Sequence, residues 1–434
     1  MSRGRTLLLI VALTAAACSG EPGGGGVNIS DEMGASTDAS TTTSTTPSTT
    51  TTTTLPTHLV TGKVARSDGT PVARAFVTMG EVRAITGSDG WFSFETTAPG
   101  AITISKPGWS TAELQWDEAA THYQASIDQE TIRGLRVGAA AAADDESFSS
   151  LLRLAGGTAI NAFVFDTKQE GGKVLHDTAV QDAHAIGAVD AQYDAEERVA
   201  QAHAAGLYTI TRIVTFEDAE RATAFPEEKL AGPWVDPRSE TARAYNLALA
   251  EEACELGFDE IMFDYVRYPS GQTATVTGQL DMAQSERIGA IAGFLAEARN
   301  LLHPKGCAVG AAVFGIITST PNDQGLGQRP EELSAQIDTF SPMVYPSHYS
   351  DGWLGLDDPN EHPYDVTANA LNAALARMEP GSELRPWLQA FWWTNAQIRR
   401  SIQAAEDLGL GWILWNVRSN FDAAAIPSEA EVAR

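Results

Sequence analysis

"GFDEIMFDYVRYPSG", residues 257–271, is an apolar, aromatic run that reads as a buried strand, yet it carries Asp264 and, three residues on, Arg267. A lone carboxylate sealed inside a strand core costs several kcal/mol, on the order of the penalties known for buried charge, unless a partner or a solvent-filled cleft compensates. The strand is therefore expected to end at a cleft. A bland alternative is that Asp264 and Arg267 form a rim ion pair that only orders the following loop. By period-two alternation Asp264 shares a face with Met262 and Val266, while Ile261, Phe263 and Tyr265 face the other way.

Outward from this stretch, apolar strands alternate with alanine-rich helical segments from about Thr131 onward. Strands are expected at 134–140, 159–168, 208–216, 260–268, 307–314, 340–345, 384–391 and 409–417, eight in all. Between them lie helical stretches such as "AEERVAQAHAAG", "SETARAYNLALAEEACELG" and "NAQIRRSIQAAEDLG", several closed by glycine. Eight βα units over some 300 residues match the rhythm of an α/β fold of the (β/α)8 TIM-barrel type. A doubly wound open sheet is the runner-up, but no glycine-rich phosphate fingerprint follows the first strand. In a closed parallel barrel the C-terminal strand ends hold the active site, which gives Asp264 its cleft.

The second strand, "AINAFVFDTK", also ends on an aspartate, Asp166, with Lys168 two residues further. Strands two and four have the same parity, so Asp166 and Asp264 are expected to look into one cleft. Other polar or aromatic residues close the remaining strands: Arg212 in the third, Tyr345 and His348 after the sixth, Gln389 in the seventh and Trp415 in the eighth. Carboxylates, cations, a tyrosine, an amide and a tryptophan on one rim suit a sugar, whose hydroxyls need polar partners and whose ring face stacks on indole. Cleaving a glycosidic bond requires paired carboxylates. Asp264 and Asp166 are the candidate catalytic residues, and Lys168, Arg212, Arg267, Tyr345, His348, Gln389 and Trp415 the candidate substrate contacts. Glu217, Asp218, Asp323 and Glu361 are read as solvated loop acids.

The N-terminal third differs in texture. "MSRGRTLLLIVALTAAACSG" has a basic start, a short apolar stretch and small residues before Cys18, which reads as an export signal over residues 1–17. Its "AAAC" ending resembles a bacterial lipoprotein signal, with Ala15 where that family usually has Leu; the resemblance implies lipidation of Cys18 and anchoring to the outer face of the cytoplasmic membrane. Plain secretion is the alternative. Residues 18–57, rich in Gly, Ser and Thr, have almost nothing to bury and read as a linker whose ends lie roughly 35 Å apart. Residues 58–129 hold short alternating runs separated by Asp-Gly turns, expected to form a small antiparallel sandwich. "GKV", "DGTPVARAFV" and "TGSDGWFSF" resemble the carboxypeptidase regulatory-like β-sandwiches; Trp91, Phe92 and Phe94 are read as core rather than as a sugar-binding face.

Within a barrel domain expected over 130–434, the chain from about residue 133 to 434 resembles a TIM-barrel glycoside hydrolase family first described as a domain of unknown function. The stretches that carry the likeness are "NAFVFDTK", "HAAGLYTITRIVTFED", "WVDP", "GFDEIMFDYVRYP", "SPMVYPSHY", "HPYDV", "RPWLQAF" and "GWILWN". The resemblance implies hydrolysis of a cell-wall or extracellular polysaccharide. The chain departs from the family in "DTKQEGG", where Glu170 is displaced by one from the expected acidic position. A second reading is a surface polysaccharide-binding protein on a non-catalytic barrel. An esterase or deacetylase is disfavoured, since no GxSxG turn and no metal triad is present.

With 29 Lys and Arg against 56 Asp and Glu, the formal charge of −27 would repel phosphate backbones, so nucleic acid is not an expected partner. No cofactor or metal site is expected: HExxH and CxxC motifs are missing and the eight histidines are scattered. Cys254 and Cys307 are read equally as one disulfide or as two buried thiols. A monomer is expected.

Overall fold

The computed structural model describes residues 56–106 and 108–433. The expected export signal, Cys18 and nearly all of the linker lie outside the described residues. No helix among the described residues is long and apolar enough to cross a membrane.

Seven short strands between His58 and Ser126 build two sheets around a shared apolar core. Strict alternation does the work in Trp91–Thr96, where Phe92 and Phe94 face the core while Trp91, 46% exposed, faces solvent. The expected antiparallel sandwich is present with one departure, a parallel pairing between His58–Ala65 and Tyr123–Ser126. Gly90, at φ 79°, makes the expected turn possible, because a Cβ there would lie 2.3 Å from the Val64 carbonyl oxygen.

The remainder is a closed barrel of eight parallel strands: β1 (Arg133–Val137), β2 (Ala162–Lys168), β3 (Tyr208–Val214), β4 (Glu260–Asp264), β5 (Ala308–Phe314), β6 (Thr339–Val344), β7, and β8 (Trp412–Trp415). Strand β7 is split into Glu383–Leu384 and Trp387–Gln389 around Pro386, which has no N–H for the ladder. Pairing of β8 with β1 and of β5 with β6 completes the ring, which settles the choice between a barrel and an open sheet. Side-chain caps begin the outer helices: Asp194 for Ala195–Ala204, Ser239 for Glu240–Glu255 and a Thr394 capping box for Asn395–Glu406.

Inward residues stack in layers along the barrel axis. The middle layer is apolar, with Val164, Ile210, Met262, Ala312, Trp387 and Ile413 packed together. The floor beneath it is charged: Arg385 donates to Glu260 at 2.8 Å and to Glu383 at 2.7 Å, and Tyr208 and Thr339 also donate to Glu260. Glycine at 310 leaves room for that carboxylate, since a Cβ would come within 2.7 Å of Glu260 Oε1. The sandwich docks on this end. Arg74 donates to the carbonyls of Ile337 and Ala335 at 2.7 and 2.9 Å, Arg83 donates to that of Pro304 at 2.6 Å, and Phe76 packs edge-on to His303.

Cys254, in the helix preceding β4, and Cys307, just before β5, are joined in a disulfide with their Cα atoms 6.0 Å apart. Of the two readings of the cysteines, the bonded one holds.

Candidate active site

Strand β3 lies between β2 and β4, with Arg212 opposite Asp166 and Val214 opposite Asp264. This register points all three polar side chains into the mouth of the barrel. Arg212, 1% exposed, donates from each nitrogen to a different carboxylate: Nε to Asp264 at 2.7 Å, Nη1 to Asp166 at 3.3 Å and Nη2 to Glu170 at 2.5 Å. Burial opposes the arginine's charge, but the three acids hold its pKa well above the ordinary value. The second oxygen of Asp264 accepts the Tyr265 N–H at 2.7 Å.

Above this cluster opens a cavity of about 500 Å³. Asp264, Glu170, Arg212 and Arg267 supply its polar wall, and Phe314, Tyr265, Tyr345, Tyr349, Trp387 and Trp415 much of its apolar wall. The Trp415 ring lies 4.4 Å from the Arg136 guanidinium carbon and 4.8 Å from that of Arg212. Burial, with the charge of Asp264, raises the Tyr345 phenol well above its usual pKa. Burial lowers the His348 imidazole, which is therefore neutral at pH 7.

Of the expected site residues, Asp264, Arg212, Arg267, Tyr345, His348 and Trp415 line the cavity. The bland alternative of an Asp264–Arg267 ion pair is not what forms: Asp264 is paired with Arg212 instead. Three expected site residues, Asp166, Lys168 and Gln389, lie off the cavity wall. Asp166 shares the mouth with Asp264, but it lies behind Arg212 rather than on the cavity wall, one oxygen held by Arg212 and the other by Arg136. Both of its oxygens are thus taken by arginines. Lys168 is also off the wall, because the register slips at Arg212/Ile213 and carries it out of the barrel interior. It pairs with Asp218 at 2.7 Å and donates to Asn246 on the helix Glu240–Glu255 at 3.0 Å. Asp218, read as solvated, is thus 1% exposed; Gly172, at φ 94°, admits it, since a Cβ there would lie 2.1 Å from its Oδ1. Gln389 braces the rim, accepting from the Ser347 N–H at 3.2 Å and donating to the Phe391 carbonyl at 3.1 Å.

Other residues enter unannounced. Tyr265 was expected to face outward, yet its φ of 48° ends β4 at Asp264, turns the ring into the cavity and sends Val266 to the outer core. Arg136 sits on β1 at the inward parity; an arginine between apolar neighbours in "GLRVG" is the same signal that singled out Arg212. Glu170, despite its displacement by one, reaches the wall. Burial pushes its carboxyl up, but the charge and hydrogen bond of Arg212 outweigh this and hold it below the ordinary value. Next to it Glu217 accepts the Gly171 N–H at 2.8 Å. Burial raises the Glu217 carboxyl, the Gly171 bond opposes this, and the charges of Glu170 and Asp218 add to the rise.

Fold and site together define a (β/α)8 barrel with an acid-bearing, aromatic-walled mouth. Residues 134–421 match the family described as "Putative glycosyl hydrolase domain", and the chain belongs to that family. A search of the curated proteins returns no match. Solved structures similar to the chain include a hypothetical protein from Ruminiclostridium thermocellum, 29% identical over 41% of this chain and 96% of that one, with a TM-score of 0.36. The spore cortex-lytic enzyme SleL of Bacillus cereus is 12% identical over 70% of this chain and 75% of that one, TM-score 0.44. The glycoside hydrolase domain of PelA from Pseudomonas aeruginosa is 10% identical over 67% and 96%, TM-score 0.40.

Proposed function

We propose that the protein is a glycoside hydrolase that cuts a cell-wall or extracellular polysaccharide in the cavity at the barrel mouth. The observation that carries this reading is Asp264 on the wall of an aromatic-lined cavity, one oxygen fixed by Arg212 and the other by a backbone N–H. A carboxylate so held is fixed in direction, as a nucleophile or a base for water must be. The tryptophans and tyrosines offer ring faces for sugars. Glu170, held below its ordinary pKa by Arg212, is the further acid on the cavity wall with Asp264; Glu217, raised by burial, lies off that wall and is tied to Glu170 through the Gly171 N–H.

Cys18 is the proposed lipid anchor, with the linker and the regulatory-like sandwich as spacers between membrane and barrel. The Cys254–Cys307 disulfide supports an oxidising, exported setting.

The test is a panel of bacterial and plant polysaccharides incubated with the full chain and with Asp264→Asn, reading new reducing ends and polymer binding. The expected result is cleavage of at least one polymer by the wild type, ~10³-fold slower cleavage by the variant and similar binding by both. Binding with no cleavage by the wild type would instead establish a non-catalytic polysaccharide-binding barrel.

A further inference from the structure

Arg267 stands apart from the other arginines of the mouth. Arg212 and Arg136 are tied to carboxylates, whereas none lies within ion-pair distance of Arg267 among the described residues. It is 5% exposed and lines the cavity. Its guanidinium makes a single hydrogen bond, from Nη1 to the Tyr268 carbonyl at 2.9 Å, and its Nε is buried with no partner. Around it stand aromatic faces, Phe314 at 4.2 Å, Trp234 at 4.6 Å and Tyr265 at 5.1 Å. These offer a cation some attraction but accept no N–H in the plane of the guanidinium. Burial lowers its pKa to about 10, with Tyr265 and Asp264 opposing, so it is still a cation at pH 7.

A guanidinium carries five N–H donors in a rigid fork that fits a carboxylate with two parallel hydrogen bonds. Here most of that fork is unused, in a cavity already argued to take sugar. The geometry points to a sugar carboxylate bound against Arg267, which makes the substrate of this cavity a uronate-containing glycan. The inference deepens the reading above and rests on it for the ligand being a glycan. At long range the formal charge of −27 repels a polyanion, so recognition depends on this contact at a distance well inside the ~8 Å screening length. Carboxylate binding would also supply the missing counter-charge to a buried cation, a gain that a neutral sugar does not bring.

The experiment uses the full chain with Asp264→Asn, to hold ligands uncut, alone and combined with Arg267→Met or Arg267→Lys. Binding is measured by calorimetry for oligomers of galacturonate, of hyaluronate and of alginate, and for their carboxyl-reduced counterparts. At least one uronate oligomer should bind, with its carboxyl-reduced form at least about tenfold weaker. Arg267→Met should weaken the uronate by a similar factor and leave the reduced form unchanged, with Arg267→Lys in between, since a point charge keeps attraction but not the fork. The lysine variant keeps the test open if the methionine variant does not fold. Equal binding of charged and reduced forms, equal weakening of both by Arg267→Met, or no binding of any uronate oligomer would overturn the inference. Arg267-dependent uronate binding with no cleavage by the wild type would sink the hydrolase reading alone; cleavage of a neutral polymer without uronate binding would sink this inference alone.

Discussion

At the floor of the barrel Arg385 lies between Glu260 and Glu383, and at the mouth Arg212 lies among Asp264, Asp166 and Glu170. Strand β4 supplies a carboxylate to both, Glu260 at one end and Asp264 at the other, with Met262 in the apolar layer between. The floor is closed over. Glu260 and Arg385 have no exposed surface, and the loop at Gly108 of the sandwich packs against Arg385 and Glu383. At the mouth, Arg212 and Asp264 face a cavity walled by Trp387, Trp415 and Tyr345. Two buried arginine–carboxylate clusters can therefore be built from the same parts while only one opens onto a cavity. Perturbed charge alone does not mark an active site; a cavity with an aromatic wall separates the two.

The largest expected effects come from removing either central arginine. Arg212→Met and Arg385→Met each leave buried carboxylates without a counter-charge and should cost about 3–5 kcal/mol in urea unfolding. Where the variants remain folded, only Arg212→Met should lose turnover. A folded Arg385→Met that is equally inactive would break the distinction between floor and mouth.

A smaller effect is expected in the pH dependence of stability, where the two clusters should differ in sign. Glu170 has a folded pKa below its ordinary 4.5, so its contribution is present above that value and lost as the pH falls through the lower folded value. Glu260 is raised above 4.5, chiefly by burial and against the pull of Arg385, so its contribution is largest at low pH and lost as the pH rises through the raised value. Urea midpoints across pH 3 to 7 should therefore show Glu170→Gln flattening the acid-side loss and Glu260→Gln flattening the opposing decline above 4.5. The same slope change from both substitutions would remove the contrast.

Much of the barrel was legible because its strands are continuous apolar runs buried on both faces, and because an aspartate at the end of such a run has few places to go. Parity aimed Asp166 and Asp264 into one mouth, where they lie. It failed where the backbone leaves regular geometry. The positive φ of Tyr265 reverses the expected direction of its ring, and the register slip opposite Ile213 withdraws Lys168. Neither departure has a signature in residue type. Depth was also hidden: alternation tells that Asp166 points inward, not that two arginines take its oxygens and leave it off the cavity wall.

The most direct test compares Asp264→Asn with Glu260→Gln, substitutions on one strand with side chains in one barrel interior, by the rate of reducing-end release from a polymer that the wild type cuts. Turnover should fall ~10³-fold in the first and stay within about twofold of wild type in the second. Equal loss in both, or retained turnover in Asp264→Asn, would contradict the assignment of chemistry to the mouth.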